Sequence, residues 1–267
     1  VLYQGDAIEI LNQFKSERFE LIFADPPYFL SNDGITCQSG KMVSVNKGNL
    51  DKSNGFDEDI KFTDNWLNAC KKLLKENGSI WISGTLHIIY KVGFLLEKNG
   101  YKIINDIIWY KPNAPPNLSC KYFTHSHETL LWARKSKKSQ HTFNYELTKF
   151  WNNPKDKLKN KNKQMRSVWS IPLIPNAEKE YGKHSTQKPI EILNRIISSS
   201  SNEGDWVLDP FVGSGTTGIV CSVLNRKFIG IDNNKEYLDL TIKRFRDKSK
   251  KKLLYFPKNS EGITKYI

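Results

Sequence analysis

Trp206-Val207-Leu208-Asp209-Pro210-Phe211-Val212-Gly213-Ser214-Gly215-Thr216-Thr217-Gly218 changes character twice. The apolar start reads as a short strand over 206–209. A glycine-rich turn follows, and Gly215 to Leu224 reads as a helix. Lys227–Asp232 is then a second strand that ends on a carboxylate. Strands alternating with helices imply a mostly parallel sheet covered on both faces. Glycines let the backbone pass close to a ligand, and the helix N-terminus offers free N–H groups. Asp232 is placed to take two hydrogen bonds from ribose hydroxyls, as in nucleotide-binding βαβ units.

The alternation continues outward. Residues 1–6 give a strand ending at Gly5-Asp6, and Ile8, Leu11 and Phe14 give a helical stripe. Strands are expected over 20–25, 79–83, 101–110 and 128–134, seven in all with those above. Helices are expected around Phe62–Leu74, Ile88–Leu96, Ile190–Ile197 and Tyr237–Phe245. From Phe29 to about Asp59 the chain is polar and has no sustained period, as in a lid, a binding loop or a disordered segment, and its start beside residues 25–28 favours a substrate loop. The segment from Lys135 to about Gly182 is polar too and reads as an insert.

Leu21-Ile22-Phe23-Ala24 runs straight into Asp25-Pro26-Pro27-Tyr28. The two prolines remove two backbone donors and fix two φ angles. The Asp25 side chain and the Asp25 and Pro26 carbonyls are then expected to be rigid acceptors with few competing local donors. Tyr28 adds a flat ring. Together they form a socket for a planar group bearing an NH₂. Both this turn and the glycine loop fall at strand C-terminal ends, the edge of an open α/β sheet where ligands bind.

Bland alternatives stand beside these readings. Gly213, Gly215 and Gly218 also satisfy G-x-G-x-x-G, so a nicotinamide oxidoreductase is an alternative. Against it, Asp209 would repel a pyrophosphate but can accept from an amino acid's ammonium, and the Pro-Pro turn would have no task. Asp6 is equally suited to cap the next helix. Tyr122 and Phe123, judged alone, read as packing. His87, His125 and His127 lack the partners of a metal site.

The chain carries 41 Lys+Arg against 28 Asp+Glu, a net charge of +13. Such a surface favours a polyanion, nucleic acid first. Lys155, Lys157, Lys159, Lys161, Lys163 and Arg166 form a charge run that alone reads as a solvated loop; in so basic a chain they are the candidate phosphate contacts. The four cysteines are scattered, which suits a reducing cytoplasm and no disulfide framework. Cys70 and Cys221 fall on apolar helix faces and read as core. No apolar run reaches membrane-spanning length.

The pairing of Asp25-Pro26-Pro27-Tyr28 with Asp209–Thr217, in that order, resembles the β-class of DNA N6-adenine methyltransferases. Phe23–Asn32, Pro116–Lys135 and Gly182–Pro189 are most similar to its DpnA-like GATC subgroup. The resemblance implies a Rossmann-like, circularly permuted methyltransferase fold with a seven-stranded, mostly parallel sheet and a small target-recognition insert. Residues 1–135 would be the catalytic half with a mobile loop at 29–59, 136–183 the insert, 184–247 the cofactor-binding half, and 248–267 a basic tail. It implies S-adenosylmethionine as cofactor and no metal. Asp25, Pro26, Pro27 and Tyr28 would be catalytic. Asp6, Lys188, Asp209, Phe211, Gly213, Ser214, Gly215, Thr216 and Asp232 would bind the cofactor, with the segment Thr186–Pro189 near its methionine end. Tyr28 and Phe123 would stack on a flipped base. The implied partners are DNA, duplex or single-stranded, a second copy of the chain, and a cognate restriction endonuclease, with no membrane. Cytosine-N4 methylation is the nearest rival, but relatives that modify cytosine mostly carry Ser where this chain has Asp25.

Overall fold

The computed structural model of the protein describes residues 1–15, 17–29, 35–38, 41–44, 51–149, 163–174 and 187–246. At its centre lies β2 (Phe19–Ala24), buried along its whole length, as befits a strand covered on both faces. Parallel to it on either side run β5 (Leu74–Gly84) and β9 (Trp206–Asp209). Beyond β9 lie β10 (Lys227–Asp232) and then β1 (Leu2–Gln4), again parallel. Beyond β5 lies β7 (His127–Arg134), antiparallel to it, followed by β6 (Lys102–Tyr110) and β8 (Val168–Ser170). The order is β1-β10-β9-β2-β5-β7-β6-β8. Of these strands only β7 is reversed.

All seven expected strands are present, and β8 adds an eighth from the segment read as an insert. Val168–Ser170 is too short to produce a period. Its anchor is Trp169, buried beside Trp81 at 5.9 Å between ring centroids. β3 (Ile35–Gln38) and β4 (Lys41–Ser44) form a separate antiparallel hairpin inside the stretch expected to be loop.

Alternation along the strands divides the core into two layers. Ile22, Ala24, Ile80, Ile82 and Leu208 face one side. There they meet α1 (Ala7–Gln13), α2 (Phe56–Leu73) and α3 (Ile89–Lys98). Leu21, Phe23, Trp81, Trp132 and Val207 face the other, against α5 (Ile190–Ser200) and α6 (Thr216–Val223). The short α4 (Tyr145–Lys149) and the last helix, α7 (Lys235–Arg246), complete the described elements. Cys70 and Cys221 are buried, as read. α2 begins at Phe56, earlier than its apolar stripe. Its first turn carries Asp57, Glu58 and Asp59, which suit the positive end of a helix dipole. Among the described residues no helix is long and apolar enough to cross a membrane.

Candidate active site

The parallel strands deliver their C-terminal ends to one edge of the sheet. Asp25 follows β2, Ser83 lies at the end of β5, and Lys111 follows β6. Asp209 and Asp232 end β9 and β10, and Asp6 lies just past β1. Because β7 is reversed, its first residues reach the same edge, and with them Glu128.

A cleft opens there and takes in both sequence motifs. Asp6, Asp25, Asp51, Asp209, Asp232 and Lys188 line it with their charges. Pro26, Pro27 and Tyr28 contribute from the catalytic turn, and Phe211, Gly213, Ser214 and Thr216 from the glycine loop. Aromatic packing ties these two loops together through α2. Phe29 meets Phe62 at 6.1 Å between centroids, and Phe211 meets Trp66 at 5.5 Å.

The Pro-Pro turn is held as its missing donors require. The first amide after the two prolines, that of Tyr28, donates to Asp51 Oδ1 at 2.7 Å. The Tyr28 ring is only 4% exposed. Its hydroxyl reaches Asp25 Oδ1 at 2.7 Å, Ser83 Oγ at 2.9 Å and Glu128 Oε2 at 3.2 Å. Burial raises its phenol well above the usual range, and the charges of Asp25 and Glu128 add to this.

The expectation for Asp25 concerned local donors, and distant ones crowd it. Ser83 Oγ also donates to its Oδ1, and Lys188 Nζ lies 2.6 Å from its Oδ2. The same ammonium is 3.6 Å from Glu128 Oε2, and Lys111 Nζ donates to Glu128 Oε1 at 2.5 Å. Four charges therefore alternate in sign: Lys111, Glu128, Lys188, Asp25. Burial alone would push the Glu128 carboxyl up. The two ammonium groups, with hydrogen bonds from Lys111 and Tyr28, outweigh it and lower the carboxyl to about 2. Burial lowers the Lys188 ammonium, yet Asp25 and Glu128 leave it net raised.

On the other side of the cleft, Asp209 accepts from the Phe211 amide at 3.0 Å and from Thr217 Oγ1 at 2.6 Å. Asp232 accepts from the amides of Gly213 at 2.9 Å and Asn234 at 2.8 Å. Gly215 sits at φ +76°, and a Cβ there would come within 2.3 Å of Thr241 Cγ2, so the turn needs glycine. Asp6 caps α1 through the Glu9 amide at 3.0 Å and lines the cleft as well, so its two sequence readings coexist.

Residues 19–243 match the DNA methylase family that covers N6 and N4 enzymes. The type II methyltransferase M2.LlaDCHI of Lactococcus lactis subsp. cremoris is 53% identical over 91% of this chain and 88% of its own. M2.DpnII of Streptococcus pneumoniae, also a type II methyltransferase, is 52% identical over the same shares. The chain belongs to the DNA methylase family. The crystal structure of the M1.HpyAVI–SAM complex shares this methylase's fold with a TM-score of 0.66 and 29% identity, over 92% of this chain and 98% of that one. The expected fold class, DNA methyltransferase activity and S-adenosylmethionine as cofactor are thereby borne out, and the oxidoreductase alternative is set aside.

The cleft of this methylase fits such a cofactor chemically. Five aspartates and one lysine line it, a balance that repels a pyrophosphate and attracts a ligand bearing a sulfonium and an ammonium. Each aspartate oxygen has two lone pairs, so Asp232 keeps capacity for hydroxyl donors beside its two amide bonds.

Some site candidates fall elsewhere. Phe123 is 96% exposed, in the turn between β6 and β7, and is not among the cleft-lining residues. Lys155, Lys157, Lys159 and Lys161 lie outside the described residues, while Lys163 and Arg166 are exposed. Asp51, Ser83, Lys111 and Glu128 received no role from the sequence. Ser83 and Lys111 share the signal that exposed Asp25, a polar side chain at the end of an apolar run. Glu128 begins its run, and only the reversal of β7 reveals its place.

Proposed function

We propose that this methylase transfers a methyl group from S-adenosylmethionine to the exocyclic N6 of an adenine flipped out of DNA, at a short site such as GATC in a restriction-modification system. The observation that carries this reading is the shared cleft, which holds Asp25 of one motif and Asp209 and Asp232 of the other. Adenine is favoured over cytosine by Asp, rather than Ser, at position 25. The cofactor, when bound, supplies a methyl group already activated on sulfonium.

The amine of adenine is a poor nucleophile because its lone pair is delocalised into the ring. Asp25 and the Pro26 carbonyl would each accept one N–H, pulling the nitrogen toward tetrahedral geometry and aiming its lone pair. Positioning and fixed dipoles then carry much of the rate. The proton can pass to Asp25 after the methyl arrives. Tyr28 would close one face of the base pocket, and Phe123, on its exposed turn, would approach the DNA. Asp6, Asp209, Asp232 and the loop from Phe211 to Thr216 would hold the cofactor, with Lys188, which lines the same cleft, near its methionine end. Unpairing and unstacking the base costs a few kcal/mol, about what aromatic contacts return. The same reading takes in the two-half domain organisation, a homodimer, a cytoplasmic location and a cognate endonuclease.

Replacing Asp25 by Ala is expected to lower turnover by roughly 10²-fold or more while leaving S-adenosylmethionine affinity within a few-fold. Nucleoside analysis of DNA methylated by the wild-type protein is expected to yield N6-methyladenine. N4-methylcytosine would favour the rival, and equal loss of binding and turnover would overturn the division of roles.

A further inference from the structure

Of the buried chain of alternating charges, only Asp25 meets the target amine in the proposed reaction; Lys111 and Glu128 lie behind it. Buried ion pairs contribute little to stability compared with apolar packing, so their presence asks for another reason. Asp25 Oδ1 already holds the Tyr28 and Ser83 hydroxyls, and Oδ2 is where Lys188 sits, at 2.6 Å. A target amine that donates to Oδ2 therefore meets an ammonium in its place. That ammonium also stands at the acceptor toward which a cationic methyl donor must be brought. It cannot retreat to water, because Lys188 is only 6% exposed. Glu128 Oε2 lies 3.6 Å from it, so a shift of about 1 Å makes a direct hydrogen bond. The flexible four-carbon stem of a lysine allows such a shift. Glu128 itself is anchored, its Oε1 held by Lys111 at 2.5 Å.

We propose that Glu128, clamped by Lys111, is a positioning residue that takes the Lys188 ammonium when the target amine displaces it from Asp25. Lys188 thus pairs with Asp25 before substrate arrives and shares Glu128 with Lys111 afterwards, which leaves Asp25 to face the target amine and the cationic donor. This rests on the proposed role of Asp25 as acceptor for the substrate amine.

The test is single-turnover transfer of labelled methyl from S-adenosylmethionine to unmethylated phage DNA. Glu128→Gln keeps the shape and removes the charge. It is expected to lower the single-turnover rate constant by about tenfold or more, while S-adenosylmethionine affinity stays within about twofold. In a Lys188→Met background the same substitution is expected to change the rate by less than about threefold, because its target is gone. A Glu128→Gln protein as fast as wild type, or an equal loss in both backgrounds, overturns the proposal. If Glu128→Gln does not fold, Lys111→Met replaces it in the same pair of backgrounds, with the same two outcomes deciding. A wild-type protein that binds S-adenosylmethionine but labels no DNA overturns the underlying functional reading instead.

Discussion

Asp209 is the residue whose protonation is tuned most clearly toward neutrality. Burial pushes its carboxyl up to about 7. Hydrogen bonds from Thr217 and the Phe211 amide oppose this, while the charges of Asp25 and Asp232 reinforce it. Between the unfolded value near 3.8 and about 7, the folded state binds the extra proton. Stability from this group is therefore complete below about pH 4 and lost as pH rises through about 7. Asp209→Asn is expected to remove that slope, worth at most about 4 kcal/mol, in urea unfolding followed across this range. Asp25, Asp209 and Asp232 were legible in the sequence because each closes an apolar run. Asp51 was not, because its bond to the Tyr28 amide joins positions 23 residues apart. The crowding of Asp25 by donors from β5 and α5's approach was hidden for the same reason: Ser83 and Lys188 are brought to it only by the tertiary fold.

At the scale of elements, strands with strong apolar periods were legible nearly residue for residue, as β9 and β10 attest. β8 was not, because a three-residue edge strand is specified by what Trp169 packs on, not by its own pattern. That ring lies beside Trp81, and its indole N–H donates to the Arg166 carbonyl at 2.9 Å. Trp169→Ala is expected to destabilise the fold by about 3–5 kcal/mol, measured by denaturant unfolding. A loss under about 0.5 kcal/mol would mean that β8 is an appendage to the sheet. The start of α2 was misread for a related reason. Its first turn is acidic, with Phe56, Asp57 and Glu58 exposed and a carboxylate, Asp59, at the buried position, so it lacks the apolar stripe by which helices are recognised, although Asp57, Glu58 and Asp59 were a dipole signal in plain view.

For the whole molecule, an acidic cleft lies within a chain of net charge +13. The excess positive charge is therefore carried outside the site, as a partner with a polyanionic backbone requires. DNA affinity is expected to fall with salt with a log–log slope of roughly −0.9 per phosphate contacted, and replacing Lys155–Arg166 cations by Gln should flatten it. An unchanged slope would return those lysines to a solvated surface. The sheet's strand order has a consequence for biosynthesis. β1 pairs with β10 alone, and β2 lacks one of its two neighbours until β9 arrives, so both strands wait for residues 206–232 to leave the ribosome. Closure of the sheet is then a late, long-range event, and a nascent chain stalled before Trp206 would expose raw β-edges to aggregation or to chaperones.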